Sequence, residues 1–210
     1  MNKRIIHGYE MLFERFGRQY WWPGDSPWEI CTGAVLTQNT NWGNVEKAIA
    51  LIKSADALDP EKIVALPVSE LEELIRPSGF FRIKTQRLRN MAAWWLENVR
   101  DSKLKPGSLA EWRHRLLEIN GVGPETADSI LLYCFNQPVF VIDAYTKRIA
   151  ARHFGAKPDI SYHELQSLFM DSLPCSQELF NEYHALLVRN AKEYCRKSAC
   201  LPGGPLRKIG

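Results

Sequence analysis

Leu116-Leu117-Glu118-Ile119-Asn120-Gly121-Val122-Gly123-Pro124-Glu125-Thr126-Ala127-Asp128-Ser129-Ile130-Leu131-Leu132 is the stretch from which the rest of the chain can be read. Apolar residues recur at helical spacing on both sides of two glycines that bracket one valine. The pattern predicts a helix that stops, turns within a few residues and restarts. Glycine enters positive-φ space without steric cost, and Pro124 suits the first helical position, where a missing amide hydrogen costs nothing. Such a corner is expected to turn the bare backbone of Gly121, Val122 and Gly123 outward, with the positive end of a helix dipole behind it. That arrangement holds phosphate irrespective of base sequence. Downstream, Val141-Ile142-Asp143-Ala144-Tyr145 offers a carboxylate whose natural target is a nucleic acid clamped by its backbone. Taken alone, the corner is equally well a tight αα turn that binds nothing.

The 210 residues can bury one good core or two small ones. Hydrophobic content of 45% and charged content of 24% are those of ordinary globular domains, and no apolar run is long enough to cross a bilayer. Met1-Asn2-Lys3-Arg4-Ile5-Ile6-His7-Gly8 has basic residues with no apolar segment behind them, so neither a signal peptide nor an anchor is read, and the cytoplasm is the expected compartment. A net charge of +3 permits nucleic-acid binding only through a local basic surface. Nothing calls for a membrane or a second copy, and a monomer is expected. Cys31, Cys134, Cys175, Cys195 and Cys200 are odd in number and scattered, which predicts reduced thiols. Only Cys195 and Cys200 stand close together. Leu201-Pro202-Gly203-Gly204-Pro205 follows where a four-thiolate site would need two more cysteines, so an iron–sulfur cluster is not expected and no metal site is read.

Helix signals dominate. Ser26 with Glu29, Ser69 with Glu72, Ser108 with Glu111 and Ser161 with Glu164 match the capping box, and apolar residues at three-and-four spacing follow them. Pro138-Val139-Phe140-Val141-Ile142 is the one β-like run. It is too isolated to build a sheet and reads as an extended connector delivering Asp143 to a helix start. The expected fold is all-α, of about ten short helices in two packed lobes.

With these elements in place, the chain resembles the helix-hairpin-helix (HhH-GPD) DNA glycosylase superfamily, the endonuclease III fold, over nearly its whole length. Leu36-Thr37-Gln38-Asn39-Thr40 resembles the family's early helix end with its DNA-penetrating Gln. Arg76-Pro77-Ser78-Gly79-Phe80-Phe81-Arg82-Ile83-Lys84 resembles the loop that presents an apolar wedge, and His184 to Cys195 resembles the stretch leading into the cluster loop. Within the superfamily, Trp21-Trp22-Pro23, Gly33 to Thr40, Arg76 to Phe80 and Asp143 followed by Tyr145 are most similar to the 3-methyladenine DNA glycosylase III group. The resemblance implies a two-lobed helical fold with a cleft. One lobe spans residues 25–130 and contains the hairpin, and the other comprises 1–24 with 131–210 and carries the catalytic Asp143 but no complete cluster loop. It implies removal of a damaged base from double-stranded DNA in base-excision repair. Two departures matter. Glu125 stands where strand-cleaving members have a lysine nucleophile, which implies hydrolysis without lyase activity, and Tyr145 stands where the family's usual His follows the Asp.

Base removal needs the nucleotide extruded, the hole filled and the base gripped. Gln38 and Phe80 are the candidates for filling, by pairing with the widowed base and by sliding between base steps. Trp21, Trp22, Pro23 and Trp42 are the candidate pocket, with Lys192 from the matched C-terminal stretch. Indole stacked on a positively charged alkylated purine adds roughly 0.5–2 kcal/mol that a normal base would not gain. Asp143 is also a good N-cap, and the two roles are compatible because a helix N-terminus favours the ionised carboxylate. Lys147, Arg148, Lys84 and Arg87 are candidate phosphate contacts. The hairpin carbonyls of Leu117, Ile119 and Val122 are a candidate site for a potassium or sodium ion, as in related hairpins. The alternatives are an oxidised or mismatched pyrimidine as target, or a DNA-binding protein without catalysis.

Overall fold

The structure is a computed structural model that describes residues 2–21, 24–101 and 103–209. Among the described residues the helices run α1 (Lys3–Phe16), α2 (Pro27–Leu36), α3 (Trp42–Ser54), α4 (Pro60–Ala65), α5 (Val68–Ile75), α6 (Phe81–Asn98), α7 (Leu109–Leu117), α8 (Pro124–Ser129), α9 (Ala144–His153), α10 (Tyr162–Met170) and α11 (Gln177–Glu193). A two-residue antiparallel ribbon, Val99–Arg100 with Lys103–Leu104, is the regular β structure. Strands this short carry no alternation to read, so this ribbon is not visible in the sequence. No helix among the described residues is long and apolar enough to cross a membrane.

The chain divides into two compact units. Trp22–Asn136 forms one, and Met1–Trp21 with Gln137–Gly210 forms the other. The expected edge at residue 130 falls inside a continuous element, because α8 runs directly into a π-helical turn at Ile130–Cys134 whose five residues are all buried.

In the first unit α2 is the centre. Eight of its ten residues are buried, as a helix surrounded by others requires. Trp28 on α2 meets Trp95 on α6 edge to face at 5.1 Å, and Trp95 stacks on Phe135 at 5.4 Å. Hairpin helices α7 and α8 are joined by the Arg113 guanidinium, which donates from Nε to Asp128 Oδ1 at 2.7 Å and from Nη2 to Oδ2 at 3.1 Å. Asp128 is wholly buried.

The second unit has an aromatic core. Phe140 stacks on Phe169 at 4.5 Å and meets Phe180 and Tyr183 edge to face. Gly8 is the residue at which α1 crosses this cluster, and a Cβ there would lie 2.6 Å from the Phe154 ring. Phe140 belongs to the extended run Val139–Ile142, which is buried throughout. Side chains satisfy its backbone: Gln166 Nε2 donates to the Phe140 carbonyl at 2.7 Å, and the Ile142 amide donates to the Tyr162 hydroxyl at 3.4 Å. The connector is thereby fixed, and with it the position of Asp143.

The Ser108 and Ser161 capping boxes form in full. Ser26 caps the Glu29 amide, but the Glu29 carboxylate turns to the Asp25 amide and to Lys53. Ser69 caps nothing, because α5 begins at Val68 behind Pro67 and so takes in Ser69 as an interior residue.

Candidate functional site

At the corner, only Gly121 uses the left-handed region, at φ +95°. Gly123 caps α8 with φ −95° and ψ 177°, a conformation open to any residue. What glycine contributes at 123 is a bare surface, since a Cβ there would meet nothing within 4 Å. The Val122 amide does not face outward as expected, because the tight turn consumes it in a 3.0 Å bond to the Ile119 carbonyl. Val122 is buried and acts as the peg under the corner. The Ile119 carbonyl, one of the three considered for a monovalent cation, is the acceptor of that bond.

Gln38 lies against this corner. Its Nε2 donates to the Gly121 carbonyl at 2.9 Å and to Thr126 Oγ1 at 3.0 Å, while Arg87 Nη1 donates to its Oε1 at 2.5 Å. To enter DNA, Gln38 would have to release all three. Arg87 itself packs so closely on Gly121 that a Cβ there would sit 2.2 Å from Arg87 Cγ. Gly121→Ala is therefore expected to cost about 1–3 kcal/mol from backbone strain alone. It should also displace Arg87, lowering the urea midpoint and weakening duplex binding together.

Phe80 differs from Gln38 in being exposed. It precedes α6 in the left-handed region, at φ 48° and ψ 30°, and the residue is 64% exposed. A large aromatic residue held in that conformation and displayed to solvent is doubly uncommon. Phe81 packs beneath Arg76, whose guanidinium carbon lies 4.2 Å from the ring centre. Lys84 is not a surface phosphate contact. It is buried, donating from Nζ to the Leu36 carbonyl at 2.8 Å and to the Ser78 carbonyl at 2.7 Å, and burial pushes its pKa down to about 8.

Trp42 opens α3, donates from Nε1 to Glu46 at 3.0 Å, and lines a cavity of about 250 Å³ with Gly24, Asp25, Glu29, Glu46 and Lys53. Three carboxylates face one ammonium in that lining. Trp22 and Pro23 lie outside the described residues. Trp21 is half-buried, with its Nε1 buried and without a hydrogen-bond partner. Lys192 is exposed in the last turn of α11.

Asp143 caps α9, its Oδ1 accepting the Thr146 amide at 2.6 Å. Its Oδ2 faces His184 Nε2 of α11 at 3.6 Å, and the side chain keeps 14% exposure. Burial pushes the carboxyl pKa up, but the His184 ring and the Thr146 amide outweigh it, and the net shift is below the ordinary carboxylate range. The result is a carboxylate held ionised in a side chain that is not wholly closed off. Sequence reasoning missed His184, although it opens the stretch matched at the C-terminus. Lys147 is exposed, and Arg148 is half-buried and donates from Nε to the Cys195 carbonyl at 2.9 Å.

The sequence of the cysteine loop predicts no metal set, yet the fold brings Cys195 and Cys200 beside His153 at the end of α9. Two thiols and one imidazole do not make the four-thiolate set of an iron–sulfur cluster. Cys31 and Cys134 belong to the other unit, and Cys175 is exposed elsewhere.

Residues 32–175 match the family model described as HhH-GPD superfamily base excision DNA repair protein, and the chain belongs to that superfamily. A Methanocaldococcus jannaschii protein carrying a provisional DNA repair glycosylase name is 41% identical over 204 residues, which cover 96% of this chain and 93% of that one. The structure of H. pylori 3-methyladenine DNA glycosylase bound to 1,N6-ethenoadenine matches with a TM-score of 0.72 and 26% identity, covering 92% of this chain and 98% of that one. An endonuclease III in non-covalent complex with DNA matches in fold with a TM-score of 0.83 at 21% identity, covering 100% of this chain and 94% of that one. The protein is a DNA glycosylase of base-excision repair.

Proposed function

We propose that this glycosylase is monofunctional and removes alkylated purines, 3-methyladenine above all, from double-stranded DNA. The observation that carries the reading is Asp143: an ionised carboxylate at a helix N-terminus, partly open, with no lysine in the hairpin position that strand-cleaving members use. A purine alkylated at N3 or N7 leaves as a neutral base, so no dedicated general acid is required. The carboxylate stabilises the cationic sugar as the glycosidic bond breaks, and it accepts a proton from the attacking water. His184 keeps Asp143 ionised and oriented.

Trp42, beside an excess of carboxylates, suits a cationic ring over a neutral one, through both the indole face and the net charge of the lining. Gly24, next in sequence to Trp22 and Pro23, joins that lining, and Trp21 and Lys192 are kept as candidates for gripping the base. Phe80 supplies the wedge. Phe80→Ala should leave thermal stability within about 0.5 kcal/mol because the ring is exposed, and should weaken lesion binding by about 1–3 kcal/mol through lost stacking. Thermal melts and gel shifts on a methylated duplex check the two halves. Gly121 and Gly123 hold phosphate, Lys147 is a separate phosphate contact, and Gln38 braces the corner.

The deciding experiment is incubation of the purified protein with methylated duplex DNA, chromatography of the released bases, and borohydride treatment of the same reaction. The expected result is free 3-methyladenine with no covalent adduct. Intact methylpurines defeat the substrate assignment, and a trapped protein–DNA adduct defeats the hydrolytic one.

A further inference from the structure

We infer that His153, Cys195 and Cys200 bind a single zinc ion. After α11 the chain folds back so that Cys195 and Cys200 face each other as an antiparallel bridge pair, closed by the Leu201 amide donating to the Tyr194 carbonyl at 2.7 Å. Their sulfurs lie 3.0 Å apart, and His153 Nε2 lies 3.7 Å from Cys195 Sγ and 3.3 Å from Cys200 Sγ. Tetrahedral zinc, with bonds of about 2.3 Å to sulfur and about 2.0 Å to nitrogen, separates its ligand atoms by roughly 3.4–3.8 Å. The triangle already has nearly that shape. The imidazole distances already fit, and the sulfurs would move apart by about 0.8 Å to complete it.

The surroundings match the ligands. The His153 ring also hydrogen-bonds the backbone of Leu206, the outer contact that holds a ligating imidazole in orientation. Arg152 places Nη1 3.4 Å from Cys195 Sγ and 3.7 Å from Cys200 Sγ, and is fixed there by the carbonyls of Arg196 at 2.7 Å and Lys197 at 2.8 Å. Two sulfurs with an imidazole select zinc over harder divalent ions. Binding releases the two thiol protons to solvent, and a water takes the fourth position because Cys200 remains partly exposed. The ion would tie the loop from Cys195 to the far end of α9, the helix that Asp143 caps.

The test uses the full-length protein purified under reducing conditions, with metal counted by mass spectrometry. Zinc at one equivalent is expected, lost in Cys195→Ser, Cys200→Ser and His153→Ala and kept in Cys175→Ser. Cobalt(II) offered to the metal-stripped native protein should produce thiolate-to-cobalt charge-transfer absorption, a readout that needs no variant to fold. Stripping should lower the melting temperature by several degrees, and zinc should restore it. The inference is overturned by a native protein that takes up neither metal, by iron accompanied by acid-labile sulfide, or by a Cys195–Cys200 disulfide that persists under reductant. Equal loss of zinc in Cys175→Ser overturns it too.

Discussion

Asp143→Asn is expected to slow base release by on the order of 10²–10³-fold, the usual loss when one preorganised electrostatic group is removed from a developing charge. The substitution is informative because it leaves almost everything else in place. Asn is as good an N-cap as Asp, so its side-chain oxygen still accepts the Thr146 amide and α9 still starts at Ala144. What disappears is the negative charge opposite His184 and opposite the incipient sugar cation. Single-turnover release from methylated DNA should collapse while a gel shift with the same duplex remains near native. A variant that releases base at close to the native rate would remove Asp143 from the chemistry. One that no longer binds DNA would make it a structural residue.

Arg113→Met is expected to give the largest loss of stability, about 3–5 kcal/mol, because it leaves the buried Asp128 carboxylate without its bidentate partner. That is a large fraction of the roughly 5–15 kcal/mol that holds an ordinary domain together. The pair spans α7 and α8, so the damage falls on the geometry of the corner as well. Chemical denaturation should show a much lower midpoint, and duplex affinity should fall with it. The double variant Arg113→Met with Asp128→Leu removes both charges and should recover most of the stability. If the double variant is as unstable as the single, lost packing rather than an exposed electrostatic debt explains the effect.

The elements legible in the sequence were local ones. The glycine corner, Pro124 at its helical start, the Ser108 and Ser161 caps and Asp143 at the head of α9 are each written within a few residues, where spacing alone constrains the backbone. Phe80 was separable from Phe81 only through the family pattern, and its exposure agrees with that reading. The partners were not legible. His184 beside Asp143, Arg87 on Gln38, Arg113 on Asp128 and His153 beside the two cysteines join positions far apart in the chain, and no periodicity encodes them. Lys84 shows the same limit most plainly. A lysine in a basic stretch reads as a solvated charge until a core closes around it.

That lysine also has a mechanical consequence. One ammonium grips the last carbonyl of α2, two residues before Gln38, and the carbonyl of Ser78, two residues before Phe80. The groups proposed to brace the corner and to enter the duplex are thereby riveted to a common strut. Tilting of either would drag the other, so the brace of the corner and the proposed wedge advance and retreat as a single blade instead of as two independent fingers.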